Sequence, residues 1–262
     1  MDNKYDIVGA KGGECMDILF HHHEFEYEVR DTLGIPSDPI TEKDVLRVTE
    51  LDLSNFDFLQ EDRDTLALFK NLTSLDINIG YTPSEYWHNF PKLKHFYLCY
   101  WGGNVDFVSF QKMTDLEMLW VSGGDYSSID YLNLDTLVDL AHLHYLELHE
   151  FGTVDLLPLS KMPQLKSFAL RYANKVENIE IIGSMRQLEE LVLDGLYVDT
   201  LDFLDLLPDT VQLEMCGNHV YGSVDATKWK RFSKHDICEI SVGDHSFDPF
   251  GYIDLSVLDG HD

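Results

Sequence analysis

The chain has 262 residues, 44% of them hydrophobic, which allows one large domain with a packed core and excludes wholesale disorder. Nineteen Lys and Arg against 47 Asp and Glu give a formal charge of −28. So negative a surface repels phosphate backbones and anionic lipid, so nucleic acid and membranes are not expected partners; a basic protein surface is, although the same charge also keeps an extended chain soluble.

Met1 to Asp6 shows no basic stretch leading into an apolar one, and no run of about 18 apolar residues occurs, so neither a secretory signal nor a membrane span is visible. A cytoplasmic location is therefore expected, and secretion would need a leader that this sequence does not show. Four cysteines, at 15, 99, 216 and 238, form no CxxC pair and are expected to be free thiols in a reducing compartment. Tyr5 to Val8 is strand-like and Gly9 to Gly13 flexible, so residues 1–20 are expected to add a strand or loose extension. His21, His22 and His23, with Glu24 and Glu26, have metal-ligand chemistry. Adjacent residues of one helix or strand do not converge on an ion, however, so no metal is expected.

Phe25 to Gly34 predicts a short amphipathic helix. Phe25, Val29 and Leu33 recur every fourth residue, and Gly34 supplies the C-terminal stop. Thr41 then N-caps a second short helix with Asp44 in its first turn. From Val48 onward one pattern returns: apolar-x-x-apolar-x-apolar. Its central residues are Leu51, Leu75, Phe96, Leu119, Leu146, Phe168, Leu191, Leu213 and Ile240, at steps of 24, 21, 23, 27, 22, 23, 22 and 27 residues. Side chains alternate faces along a strand, so the last two apolar residues of each unit point inward together. One unit cannot bury such a face alone, but stacked units build a parallel sheet over a shared core. Phe90-Pro91-Lys92 and Ser160 to Gln164 are read as return segments between strands.

The spacing resembles the leucine-rich repeat, about 20–29 residues per unit. The first helix, Ile40-Thr41-x-x-Asp44-Val45-Leu46 and Thr49-Glu50-Leu51-Asp52-Leu53-Ser54 together resemble the N-terminal cap of internalin-like bacterial proteins, over roughly residues 20–243. The resemblance implies an α/β solenoid: a leucine-rich-repeat horseshoe of about nine irregular repeats, a parallel β-sheet on its concave face and a helical N-terminal cap. Residues 1–47 would be extension and cap, 48–243 the repeats, and 244–262 a C-terminal cap or tail. Internalin-type units often carry Asn three residues after the strand's last Leu. Here Phe56, Trp101, Phe151 and Leu196 stand there, so apolar packing is expected in place of an amide ladder.

Outward strand positions would line the concave face. Its middle is rich in rings (His95, Tyr97, Trp120, Tyr145 and His149), with Glu147 and Arg171 alongside. Acidic residues flank it: Glu50, Asp52 and Asp76 on one side, Glu190, Asp194 and Glu214 on the other. Exposed ring clusters mark interaction sites, and Tyr and Trp are preferred anchors. The expected site is therefore His95, Tyr97, Trp120, Tyr145, Glu147, His149, Arg171, Asp76, Glu190 and Asp194, with Tyr97, Trp120 and Tyr145 as the anchor. The alternative is that the rings only pack along the sheet, or lie under the loops Tyr100 to Gly103 and Ser122 to Tyr126.

No phosphate loop, HExxH helix or serine elbow occurs, so no catalytic residue and no cofactor are expected. His142, His144 and His149 alternate faces near one strand and do not suggest a metal site. Lys228-Trp229-Lys230-Arg231-x-x-Lys234 reads as a solvated return segment or a docking patch. The expected function is non-enzymatic binding of a basic protein by a monomer or weak dimer. Alternatives are an immunity or inhibitor protein neutralising a basic toxin or nuclease, and the recognition module of an enzyme system such as a ubiquitin-ligase-like effector.

Overall fold

A computed structural model describes residues 17–58, 60–80, 84–100, 107–123, 131–132, 134–233, 236–243 and 249–258. The expected extension at Tyr5 to Val8, Cys15, the loop residues 101–106 and 124–130, and Lys234 lie outside them. No helix among the described residues is long and apolar enough to cross a membrane.

Two helices precede the sheet: α1 (His23–Leu33) and α2 (Glu42–Val45). Gly34 ends α1 in the left-handed conformation, φ 66°, and the N–H groups of Gly34 and Ile35 close on Asp31 and Arg30. At α2, the Asp44 carboxylate accepts from the Thr41 N–H at 3.0 Å and its hydroxyl at 2.6 Å. Phe25 and Val29 of α1 are wholly buried, and the Phe25 ring meets those of Phe58 and Phe69 at 5.3 and 5.8 Å. Buried Asp62 accepts the backbone N–H groups of His21 and His22, both at 2.8 Å, tying the N-terminal segment to the first return leg.

The strands, in chain order, are β1 (Glu50–Phe58), β2 (Ser74–Ile79), β3 (His95–Tyr100), β4 (Met118–Ser122), β5 (Tyr131–Leu132), β6 (Tyr145–Asp155), β7 (Ser167–Glu177), β8 (Glu190–Asp194), β9 (Tyr197–Val198), β10 (Gln212–Cys216), β11 (His219–Tyr221), β12 (Ile237–Cys238), β13 (Ser241–Gly243) and β14 (Pro249–Tyr252). A parallel sheet runs β1-β2-β3-β4-β6-β7-β8-β10-β12, with β5 paired to β6. The expected centres stack in register from Leu51 through Leu75, Phe96, Leu119, Leu146, Phe168 and Leu191 to Leu213. Each is buried, because an inward strand position faces the shared core. Mostly short 3-10 turns make the return legs and bring in large apolar groups: Trp87 and Phe110 close on Phe96 from behind, and Phe90 packs against Trp87.

The ninth coil departs from expectation. Met215 and Cys216 pair with Ile237 and Cys238, whereas the expected centre, Ile240, lies outside the concave sheet. Ser241–Gly243 instead joins a second sheet, ordered β14-β13-β11-β9. Glu239, Ser241 and Gly243 are therefore not concave positions. Ile240 and Val242 alternate as a core strand does, and alternation cannot say which of two sheets a strand enters. The corners settle the register independently. Glu150, Tyr172, Gly195, Gly217 and Glu239 all have positive φ (62°, 58°, 62°, 68° and 51°) and occupy the same place in successive coils.

Two further expectations are corrected. Cys216 and Cys238, neighbours on adjacent strands with Cα atoms 4.7 Å apart, form a disulfide and are not free thiols. The apolar turn positions Phe151 and Leu196 are buried as expected, but the eighth coil keeps an amide there. Asn218, 1% exposed, donates to the Leu193 carbonyl at 2.7 Å and accepts from the Leu196 N–H at 3.0 Å.

Candidate partner-binding face

Parallel in-register pairing puts side chains of equal coil position in rows across the concave face. One row reads Asp52, Asp76, Tyr97, Trp120, Glu147, Ala169, Val192, Glu214. Tyr97 and Trp120 are thus direct neighbours, and both are half-buried. The next row reads Asn78, Cys99, Ser122, His149, Arg171, Asp194, Cys216.

The structure joins several of the expected residues in one polar network. Glu147 is its hub. It accepts from the Tyr145 hydroxyl on one oxygen, and on the other from His149 Nε2 at 2.7 Å and Arg171 Nε at 3.2 Å. Arg171 also donates to Asp194, which accepts the Cys216 N–H at 3.0 Å, and it lies 3.9 Å from Glu214. The Trp120 ring leans on His149, centroids 5.0 Å apart. The Tyr97 hydroxyl reaches Met118 Sδ at 2.8 Å. The rings therefore do pack along the sheet, while Tyr97, Trp120 and Tyr145 each keep part of their surface in solvent.

Burial alone would raise the Glu147 pKa, but hydrogen bonds from His149, Tyr145 and Arg171 outweigh it and hold the carboxyl down at about 2. At Asp194 burial dominates and raises the pKa despite Arg171. Tyr145 is pushed upward by burial and by Glu147, so its hydroxyl stays a donor.

The remaining expected residues lie apart from this network. His95 is exposed on β3. Glu190 accepts from Ser167 Oγ at 3.0 Å. Asp76 stands beside Asp52, and burial plus that neighbouring carboxylate raise its pKa to about 6. Asp194, expected among the acidic residues flanking the rings, is 8% exposed and paired, which leaves Glu190 and Glu214 as the open acids on that flank. Arg171 is the lone Lys or Arg in either row, so the face stays acidic after pairing.

Other chemistry is sparse. Burial and the carboxylates of Glu150, Asp76 and Asp57 raise the Cys99 thiol, the wrong direction for a nucleophile. At the start of α1 the adjacent residues do converge, contrary to expectation: Glu24 Oε2 lies 2.8 Å from His22 Nδ1 and 2.5 Å from His23 Nδ1. His22 is still extended there, at φ −104° and ψ 123°, so helical geometry does not separate the side chains. His22 also stacks on Phe56, centroids 4.8 Å apart. Sequence reasoning missed Asp62, Asn218 and the Cys216–Cys238 pair, whose partners lie a coil or more away along the chain.

No protein-family model matches the chain, and no curated protein is similar to it in sequence. Solved structures are similar in fold. An internalin from Listeria monocytogenes superposes with a TM-score of 0.60 at 17% identity, covering 84% of this chain and 70% of that one. The leucine-rich-repeat ectodomain of a plant membrane receptor kinase from Arabidopsis thaliana, solved in complex with Casparian strip integrity factor 2, gives 0.52 at 16% identity. That match covers 78% of this chain and 26% of the other. The chain therefore has the leucine-rich-repeat fold, an α/β solenoid with its parallel sheet on the concave side.

Proposed function

We propose that the chain is a non-enzymatic binding module whose concave face holds a basic protein. Tyr97, Trp120 and Tyr145 form the apolar anchor, and the acidic flanks steer the partner. One observation carries the reading: the half-buried rings of Tyr97 on β3 and Trp120 on β4 sit side by side within a row bounded by Asp52, Asp76 and Glu214, and half-buried Tyr145 of β6, in the adjoining row, is tied by its hydroxyl to that row's Glu147. Tyr and Trp held this way offer contact area at little entropic cost, and the surrounding carboxylates raise the association rate of a cationic surface. The Glu147–Arg171–Asp194 network braces the anchor from the neighbouring strands, because it fixes Tyr145 and His149 before any partner arrives. A disulfide between Cys216 and Cys238 favours an oxidising compartment over the cytoplasm.

The test is capture of a partner from an extract of the source organism, on immobilised parent chain and on a Trp120→Ala/Tyr145→Ala variant, at low and high salt. The expected result is one basic protein, recovered less at high salt and lost with the variant, whose unfolding midpoint stays close to the parent's. Equal recovery by the variant, or salt-insensitive recovery of a neutral protein, overturns the reading.

A further inference from the structure

A cluster of ligand-type side chains stands where the N-terminal segment enters α1, and the proposed binding role does not use it. Nδ1 of His22, Nδ1 of His23 and Oε2 of Glu24 lie within 4.8 Å of one another. Three successive residues bring these atoms together because the backbone changes form between them. His22 is extended, and the helix begins at His23. His22 stands in the N-cap position, yet its side chain makes no capping hydrogen bond and meets Glu24 instead.

The trio is held in place from the first coil. Wholly buried Asp62 fixes the backbone of His21 and His22 through their N–H groups. Phe56 of β1 fixes the His22 ring by stacking, the two planes 12° apart. Part of the cost of ordering the ligands is therefore met before an ion arrives. The close approaches within the trio are not hydrogen bonds. Among the described residues, His22 Nδ1 and Glu24 Oε2 are both shielded from solvent and lack a hydrogen-bond partner. Polar atoms withdrawn from water without a hydrogen bond are costly, and a cation bound to both supplies the missing interaction.

We propose that His22, His23 and Glu24 bind a zinc ion. Imidazole nitrogen and carboxylate oxygen are zinc's usual ligands, at about 2.0–2.2 Å each, and tetrahedral ligation at that length sets ligand atoms about 3.4 Å apart. Glu24 Oε2 stands 2.8 Å from the His22 nitrogen and 2.5 Å from that of His23, so each gap needs to widen by about an ångström or less. Three protein ligands leave a fourth position for water or for a group from a partner. Magnesium and calcium prefer all-oxygen sets, and cuprous ion prefers thiolates, so the donor set favours zinc over these. The helix dipole opposes a cation at the start of α1, and the Glu24 charge in the first turn offsets that effect. The His23 side chain, 86% exposed, gives the ion access from solvent.

The test titrates zinc chloride into the whole chain by calorimetry and by NMR of the histidine ring protons, with magnesium chloride as control. The control matters because a chain of charge −28 attracts any cation diffusely. Zinc should bind at one equivalent and move the ring signals of His22 and His23 before those of the other histidines, and magnesium should not. His23→Ala and Glu24→Gln should each weaken zinc binding by about tenfold or more, with unfolding midpoints close to the parent's because both side chains reach solvent. His21→Ala should bind zinc as the parent does, since His21 is not one of the three ligands. Undiminished affinity in His23→Ala and Glu24→Gln, an equal response to magnesium, or first shifts at His142 and His144 overturns the proposal. An equal loss in His21→Ala and His23→Ala would mark a histidine tract without a defined site and overturns it as well.

Discussion

The ring of Tyr172 lies against the backbone of Gly195 in the next coil. A Cβ at Gly195 would stand 2.5 Å from Tyr172 Cδ1 and 2.9 Å from Cε1. Both residues occupy the left-handed corner that five successive coils share, Tyr172 at φ 58° and Gly195 at φ 62°. Gly217, at the same corner one coil on, has φ 68° but no atom nearer than 3.8 Å to a built Cβ. The two glycines thus separate backbone strain from steric contact.

Gly217→Ala should cost about 1 kcal/mol, the price of a side chain in the left-handed region. Gly195→Ala adds the collision with Tyr172 and should cost about 2–3 kcal/mol. Urea unfolding of both variants and of Tyr172→Ala/Gly195→Ala measures the difference. The double variant should recover the steric part, and equal costs for the two glycines would contradict the contact.

Arg171 stands between the half-buried carboxylate of Glu147 and the buried one of Asp194, so removing it is expected to hurt more than a surface substitution. Arg171→Ala should destabilise the fold by about 2–4 kcal/mol, because Glu147 and Asp194 lose their cation while staying largely out of water. Adding Glu147→Gln and Asp194→Asn to that variant should restore part of the loss. Denaturant midpoints at pH 7 read both effects.

Glu147 and Asp76 give opposite acid responses. The Glu147 pKa is depressed from 4.5 to about 2, so its contribution is present above about pH 5 and is lost as pH falls toward 2. The Asp76 pKa is raised from 3.8 to about 6, so its burden is absent below about pH 4 and grows as pH rises through 6. Asp76→Asn should therefore stabilise the chain at pH 7 and flatten its stability between pH 4 and 6, whereas Glu147→Gln should flatten the acid limb below pH 5. Thermal melts across pH 2–8 check both, and a stability loss at pH 7 in Asp76→Asn would contradict the assigned sign.

Closing the loop between Cys216 and Cys238, 22 residues apart, should contribute about 3 kcal/mol by restricting the unfolded chain. Reduction, or Cys216→Ser/Cys238→Ser, should lower the melting temperature and expose the ninth coil to proteolysis first. A thiol titration that finds both cysteines free in the unreduced chain would remove the bond and this prediction together.

Much of the candidate face was legible because strand periodicity is local. Once Leu75, Phe96 and Leu119 point inward, Asp76, Tyr97 and Trp120 must point outward, and equal spacing makes them neighbours. The Glu147–Arg171–Asp194 ties were not legible, since three concave positions could equally have been solvated. Whether Arg171 reaches one carboxylate or two depends on distances between strands, and no spacing rule supplies those.

Inward apolar residues at steps of 21 to 27 residues fixed the solenoid and eight of its coils, because alternation within a strand leaves each side chain one of two faces. Tertiary structure alone decided the ninth coil, where Ser241–Gly243 enters a second sheet and Ile237 and Cys238, in place of residues around Ile240, complete the concave one. The reason is that a repeat specifies what each coil buries, whereas pairing between coils depends on contacts such as Tyr172 on Gly195, Asn218 on Leu193 and Cys216 on Cys238. Those partners are distant along the chain and meet only once it has stacked.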